Sequence, residues 1–210
     1  VMMWIHGGAN VVGSAHVYDP SLLVAKHKVV VVTIQYRMGP LGWFRHPALS
    51  QDGASEKDKS GNYGTLDTIK ALEWINKNIG NFGGDPNNVT VFGESAGGHN
   101  TAAIFASPLA EGLYHKAIVQ SGIMSTGSID AAESFTPEDR IAPTTSGLEV
   151  FSRILIANDM ASDMEEANVL QSEMTDEEIR RVFYSQEASD LFGAASDSSP
   201  KRNGMTRVFP

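Results

Sequence analysis

The sequence predicts an α/β fold in which helices flank a central, mostly parallel sheet. Four short apolar runs rich in β-branched residues lack polar alternation, which is typical of strands buried on both faces of a parallel sheet. A clear amphipathic helix separates the second run from the third, and such alternation favours parallel pairing because parallel strands need crossover connections. The four predicted strands are Val1–His6, Val29–Gln35, Val89–Phe92 and Ala117–Gln120.

The amphipathic helix lies between the second and third predicted strands. Its leucines and isoleucines, from Leu66 to Ile79, recur every three or four residues and form one apolar stripe. A stripe of this kind packs against a sheet, with charged residues on the opposite side of the helix. We expect Thr65 to cap the start of the helix and Gly80 to end it.

The second half of the chain has a more helical and more polar character. Leu148–Asn158 and Thr175–Phe183 are predicted as amphipathic helices. Thr175 and Glu178 have the spacing of a capping box, which marks the start of the second of these helices. The remaining polar stretches, expected to be loops, are 51–60, 123–147 and 185–204.

The composition excludes several classes of function. Hydrophobic residues make up 41% and charged residues 20% of the chain, which is typical of a globular protein with a buried core. The net charge of −9 argues against nucleic acid and anionic membranes as partners. Because there is no cysteine, disulfides, thiolate metal sites and a cysteine nucleophile are excluded. No apolar run approaches the roughly 20 residues of a transmembrane helix, and no signal peptide is visible.

A pentapeptide with the pattern G-x-S-x-G runs from Gly93 to Gly97 and centres on Ser95. A predicted strand precedes it, and a helix of small residues is expected to follow as far as Phe105, which is the context of a nucleophile elbow. The glycines permit a sharp turn, since larger side chains there would collide with the neighbouring strand and helix. The alternative is a plain glycine-rich turn whose serine faces solvent.

A second glycine-rich segment, His6-Gly7-Gly8-Ala9, follows the first predicted strand. Acyl transfer creates an oxyanion, and backbone N–H groups held in place stabilise it. In hydrolases with the G-x-S-x-G elbow, one donor follows the nucleophile and another comes from a loop after an earlier strand. The candidate donors are therefore Gly7, Gly8, Ala9 and Ala96. The alternative is a tight turn between a strand and a loop.

Six short motifs stand out within residues 1–122. They are Trp4–Gly8, Tyr36-Arg37 with Gly39-Pro40, Gly61–Gly64, Phe82–Pro86, the elbow at Ser95, and Gln120–Gly122. In their order and gaps, these motifs resemble those of the type-B carboxylesterase/cholinesterase family. The resemblance implies an α/β-hydrolase fold, hydrolysis of a small-molecule carboxylic ester through a serine acyl-enzyme, and no cofactor.

The resemblance also implies roles for individual residues. Ser95 matches the nucleophile, and the N–H groups of Gly8, Ala9 and Ala96 match the oxyanion hole. Many family members have a third glycine where this chain has Ala9, whose methyl group would narrow the acyl pocket without removing the N–H donor. Glu94 and Ser121 match an acidic residue and a serine that support the catalytic group, and Arg37 and Asp67 match a structural salt bridge.

One part of the family's machinery has no match in this chain. A serine needs a base and an acid, which follow the nucleophile in the order Ser, Asp or Glu, His. The family's acid and histidine lie about 100 and 200 residues further on, whereas the last of the six histidines here, His115, follows Ser95 by only 20 residues. His99 lies one helical turn beyond Ser95, so its side chain is expected to point away from the elbow. No histidine pair has metal-ligand spacing, so no metal is expected.

We therefore expect residues 1–210 to be a partial α/β-hydrolase domain, a fragment that lacks an N-terminal part and the catalytic acid and histidine. Within it, residues 1–122 would form the sheet core with the oxyanion loop and the elbow, and residues 123–210 a helical segment. The full-length parent would hydrolyse carboxylic esters, and the fragment alone would show little turnover. The alternatives are a non-catalytic, cholinesterase-like binding or adhesion domain, and another serine hydrolase such as a lipase or acyltransferase.

Overall fold

A computed structural model describes residues 1–50, 53–124, 127–134 and 146–196. Within them, four strands form one sheet in the order β2-β1-β3-β4, and every neighbouring pair is parallel. The predicted α/β class with a parallel central sheet is confirmed. The strands are β1 (Met2–Ile5), β2 (Val31–Ile34), β3 (Thr90–Glu94) and β4 (Lys116–Gln120).

The helices connect the strands in the first part of the chain and follow one another in the second part. Short 3₁₀ turns, such as Pro47–Leu49 and Ile79–Phe82, lie between them. The α-helices are α1 (Ser21–His27), α2 (Glu56–Lys59), α3 (Tyr63–Asn78), α4 (Ala96–Ala106), α5 (Ile129–Glu133), α6 (Gly147–Ala157), α7 (Met164–Glu173), α8 (Asp176–Tyr184) and α9 (Ala188–Ala195).

Several local predictions agree with these elements. The predicted helix with a leucine and isoleucine stripe is α3, and the two predicted in the second half are α6 and α8. Thr175 and Glu178 form the expected capping box at the start of α8, with each side chain bound to the other residue's backbone N–H. Capping of this kind holds the first turn because it satisfies N–H groups that have no partner within the helix.

Other local predictions are wrong. Thr65 does not cap α3, because the helix begins two residues earlier, at Tyr63. The stretch 51–60, expected to be a loop, contains α2, whose cap Ser55 accepts from Asp58 N. The stretch 185–204, also expected to be loose, contains α9 among its described residues. The stretch 123–147 likewise contains α5 (Ile129–Glu133) among its described residues. All three missed helices are short, so periodicity alone does not reveal them.

The chain forms two compact units. Unit 1 comprises residues 1–38 and 64–125, and unit 2 comprises residues 39–63 and 126–210. Unit 1 holds the whole sheet, together with α1, α3 and α4. The segment 39–63 has loop-like composition, and nothing in its residue pattern indicates that it groups with the later helices. The boundary at residue 122 expected from the sequence stays a prediction.

The core of unit 1 includes fully buried side chains of the sheet and of the apolar stripe of α3. Met3 and Ile5 of β1 are fully buried, as are Leu72 and Ile75 of α3. The outer strands differ from the prediction that all four are buried on both faces. β4 is exposed along its whole length, with Val119 at 43% exposure. In the part of the chain that the structure describes, β4 ends the strand order and pairs with β3 alone, which the hydrophobicity of a strand does not reveal.

Unit 2 has a separate core built around the aromatic rings of α6 and α8. Phe151 is fully buried and lies 4.8 Å from Phe183, ring centroid to ring centroid. The buried His46 ring packs 5.5 Å from Phe151, and its Nδ1 accepts from Ala48 N at 3.1 Å. The same unit contains a partly buried ion pair, in which Arg45 Nε lies 2.5 Å from Glu133 Oε1.

The buried His46 side chain has a pKa that differs from its ordinary value. Burial lowers the pKa of His46, because a charged imidazolium loses its hydration in an apolar core. Neighbouring Gln171, Glu133 and Asp176 act in the opposite direction, but the net change in pKa is downward. The structure therefore favours a neutral ring, whose Nδ1 lone pair is already used by Ala48.

Candidate active site

Ser95 lies at the sharp turn between β3 and α4. Its backbone has φ 55° and ψ −120°, a combination that non-glycine residues rarely adopt. Two backbone bonds hold it there, since Ser95 N donates to Gln120 O and His99 N donates to Ser95 O, both at 2.9 Å. A strained residue of this kind persists only where its surroundings determine the conformation, and such residues concentrate at functional sites.

The glycines beside Ser95 are required by the close approach of the backbone. A Cβ atom on Gly97 would collide with the carbonyl oxygen of Ile5, and one on Gly93 would lie 2.8 Å from that oxygen. Gly98 packs in the same way against the segment after β4, where a Cβ would lie 3.1 Å from the Cα of Gly122. The start of α4 therefore sits directly against two strand ends.

The glycine-rich loop after β1 reaches the elbow. A Cβ on Gly7 would lie 2.8 Å from the Glu94 carbonyl oxygen and 3.3 Å from the Cβ of Ser95. Gly8 and Ala9 both have positive φ, at 116° and 55°. The structure thus brings the predicted oxyanion loop against the predicted nucleophile, although 87 residues separate Gly8 from Ser95 in the sequence.

Ala96 is the first residue of α4 and is buried. Its N–H belongs to the first turn of the helix, where backbone N–H groups have no partner within the helix. The N-terminal end of a helix also carries partial positive charge. The segment around Ser95 therefore provides N–H donors and a favourable field for an anion.

His6 and Tyr36 form a buried pair beneath the loop. The His6 ring stacks on Tyr36 with centroids 4.6 Å apart, and its Nδ1 lies 2.8 Å from Gly7 O. The Tyr36 hydroxyl donates to His6 O at 2.7 Å. Burial raises the pKa of Tyr36 far above its usual range, so the phenol remains a neutral donor. Both residues belong to motifs that are visible in the sequence, but the sequence does not indicate that they pair.

Glu94 and Ser121 both lie close to the elbow. Glu94 is exposed at the end of β3. Its Oε2 lies 3.3 Å from the point where a Cβ atom on Gly7 would be. Ser121 is exposed and has φ 51°, directly after Gln120, whose carbonyl holds Ser95 N. Their supporting role stays a prediction.

Arg37 and Asp67 form a two-pronged ion pair. Arg37 Nε donates to Asp67 Oδ2 at 2.8 Å and Nη2 donates to Oδ1 at 2.7 Å, while the Arg37 backbone N also donates to Oδ2 at 3.0 Å. Partial burial opposes ionisation, but the hydrogen bonds and charge of Arg37 outweigh it and lower the pKa of Asp67. The Arg37 side chain is 52% exposed, so the pair ties β2 to α3 without adding much stability.

Three histidines of unit 1 make side-chain contacts with backbone groups. His99 Nδ1 accepts from Ile123 N at 2.9 Å, which turns the ring toward the segment after β4. His115 Nδ1 accepts from Val89 N at 3.2 Å, at the start of β3. His6 Nδ1 faces Gly7 O beneath the glycine-rich loop. The expectation that the catalytic base lies outside this chain stays a prediction.

Among the described residues, no group of three or more histidine or carboxylate side chains is placed to hold a metal ion. In the same part of the chain, none of the helices has the length and apolar character needed to cross a membrane.

Comparison with known sequences connects this geometry to a family. The profile of the Carboxylesterase family matches residues 1–146. Carboxylesterase 1D of Rattus norvegicus is 46% identical over 147 residues, which cover 70% of this chain and 24% of the rat protein. Cocaine esterase of Homo sapiens is 42% identical over 156 residues, which cover 74% of this chain and 26% of the human protein.

Comparison with solved structures gives the same result. A PNB esterase structure superposes with a TM-score of 0.66 at 36% identity, covering 92% of this chain and 33% of that one. An esterase from anaerobic Clostridium hathewayi superposes with a TM-score of 0.63 at 28% identity, with the same coverages. The chain spans about a quarter of the length of the rat and human esterases. The predicted α/β-hydrolase fold is confirmed by these superpositions. With the family profile matching more than half of its residues, the chain belongs to the carboxylesterase family.

Proposed function

We propose that the protein carrying this chain hydrolyses carboxylic esters through an acyl-enzyme on Ser95. One observation carries the proposal: Ser95 occupies a strained turn at the start of α4, with Gly7 of the glycine-rich loop packed against it. A serine in that conformation presents its hydroxyl at the edge of the sheet, next to backbone N–H groups. The family membership of the chain supports an ester as the substrate class.

The proposed reaction proceeds in two stages. Ser95 Oγ attacks the ester carbonyl carbon and loses its proton to a base, and the carbonyl oxygen becomes an oxyanion. The tetrahedral intermediate collapses, the alcohol leaves with the proton, and the acyl group remains on Ser95. Water then attacks the acyl-enzyme and releases the carboxylic acid, which restores the serine. The base and the acid that orients it are expected from the rest of the protein.

The backbone N–H groups of Gly8, Ala9 and Ala96 are proposed to hold the oxyanion, with Gly7 beside them. Fixed donors of this type each contribute about 3–4 kcal/mol to the barrier reduction in well-studied hydrolases. The start of α4 adds its favourable field. The methyl group of Ala9 is the one side chain that departs from the run of glycines in the loop, and it is proposed to narrow the acyl pocket.

The test uses the intact protein that carries this chain. Ser95→Ala should abolish both turnover of p-nitrophenyl esters and covalent labelling by a fluorophosphonate, because both need the hydroxyl. Ser172→Ala is the matched control, since Ser172 lies on α7 of unit 2 and its hydroxyl donates to Val169 O within the same helix. Full activity in Ser95→Ala would refute the proposal.

A second measurement separates the proposal from its rival. Reading the source gene beyond the codons of this chain should identify an Asp or Glu and then a His in frame. A folded parent that binds other proteins but does not react with the fluorophosphonate would favour the binding or adhesion domain instead.

A further inference from the structure

We propose that Asn100 is a positioning residue that holds the oxyanion loop in its active shape through Asn10. The inference rests on the proposed function, because it assigns Asn100 a part in the same site. Asn100 Nδ2 donates to Asn10 Oδ1 at 2.9 Å. The two residues lie 90 positions apart, one on α4 and the other in the loop after β1.

Both amides are removed from water. Asn10 is 2% exposed and Asn100 is 3% exposed. A buried amide is costly unless it is hydrogen-bonded, so a buried pair of this kind is maintained only where both partners meet in one geometry. The bond therefore specifies a distance between α4 and the loop more tightly than apolar packing does.

The loop needs such a constraint because its backbone is strained. Gly8, Ala9 and Asn10 have successive φ angles of 116°, 55° and 58°. A non-glycine residue in the left-handed region persists when tertiary contacts determine it, and asparagine tolerates that region better than most residues. The Asn10 side chain is thus fixed directly after the two residues whose N–H groups are proposed to bind the oxyanion.

The position of Asn100 links the two halves of the proposed oxyanion hole. It lies on α4, whose first residue, Ala96, supplies one proposed donor, while Gly8 and Ala9 supply the others from the loop. The Asn100 side chain also acts on Tyr36, whose pKa it lowers against the effect of burial and whose hydroxyl donates to His6 O. One helix therefore sets the position of the loop relative to the elbow.

The experiment compares Asn100→Ala and Asn10→Gly in the intact protein. Asn10→Gly removes the acceptor but relieves the positive φ, so this variant keeps the fold even where Asn100→Ala weakens it. Active sites are counted by fluorophosphonate titration, and rates are expressed per active site. We expect kcat to fall about 10- to 100-fold in both variants, as is typical when donors are displaced by about 1 Å.

Three readouts separate positioning from a purely structural role. Affinity for a trifluoromethyl ketone, which forms a tetrahedral adduct with the serine, should fall by the same factor as kcat/KM, while KM itself changes little. The double variant should be no slower than the slower single variant, because both substitutions remove one bond. Thr68→Val is the control, since it removes a buried hydroxyl bond to Thr65 O in α3 and should lower only the melting temperature.

The outcomes are distinguishable. In one outcome, the parent protein hydrolyses esters and reacts with the fluorophosphonate, and Asn10→Gly and Asn100→Ala keep its kcat per active site. That result would overturn this inference and leave the proposed function intact. A correctly folded parent that neither reacts with the fluorophosphonate nor hydrolyses esters would overturn both.

Discussion

Replacing Gly97 by alanine tests how tightly the start of α4 packs against β1. A Cβ on Gly97 would overlap the Ile5 carbonyl oxygen and lie 2.7 Å from the Ile5 carbonyl carbon and 2.9 Å from His6 O. All three obstructing atoms belong to the backbone, so no side chain can rotate away. To bring the Ile5 carbonyl carbon to the 3.4 Å of ordinary contact, α4 and β1 must separate by at least about 0.7 Å.

That separation determines the expected magnitude. Overpacking of this kind costs about 1–3 kcal/mol, which lowers the Tm of the protein. The same shift moves Ser95 and Ala96 relative to the glycine-rich loop. Because a displacement of about 1 Å can cost a hundredfold in rate, we expect a loss of about that size in kcat/KM.

The assay compares thermal unfolding and ester hydrolysis of Gly97→Ala with Gly80→Ala in the intact protein. Gly80 is the matched control, since a Cβ there meets nothing within 4 Å and its φ is not positive. Gly80→Ala should keep the activity and change stability by less than about 1 kcal/mol. If Gly97→Ala unfolds at the parent's Tm and retains its rate, the close approach of α4 to β1 is not a constraint and the reasoning is refuted.

Three further predictions concern stability. Lowering the pH below about 6.5 should reduce the free energy of unfolding by up to about 1.4 kcal/mol per pH unit, because His46 binds a proton in the unfolded chain more readily than in the folded one, where its pKa is lowered. His46→Asn should reduce this dependence of the unfolding free energy on pH, as measured by urea unfolding. An unchanged pH dependence would contradict the prediction. Phe151→Ala should lower the free energy of unfolding of unit 2 by about 3–5 kcal/mol, because the ring is fully buried, and a loss under about 1 kcal/mol in denaturant titration would count against it. Asp67→Asn should cost at most about 1 kcal/mol near neutral pH, since the Arg37 side chain is 52% exposed, and a larger loss in the same titration would mean the pair is worth more than its exposure indicates.

The local elements were predictable because their causes are local. The apolar runs of β1 and β3 and the stripe of α3 follow from hydrophobic periodicity, and the cap at Thr175 follows from two residues three positions apart. The short helices α2, α5 and α9 escaped prediction because a few residues carry too little periodicity. The exposure of β4 could not be predicted from the sequence, because the order of strands is a property of the sheet and not of the single strand.

The sequence by itself determined the fold class, the G-x-S-x-G turn and the glycine-rich loop, because each depends on residue types at fixed short spacings. Only the tertiary structure decided that Gly7 packs on Ser95, that His6 stacks on Tyr36, and that Asn100 holds Asn10. These contacts join residues 30 to 90 positions apart. Nothing along the chain specifies such pairs, because they arise when parallel strands bring their carboxyl ends to one edge of a sheet.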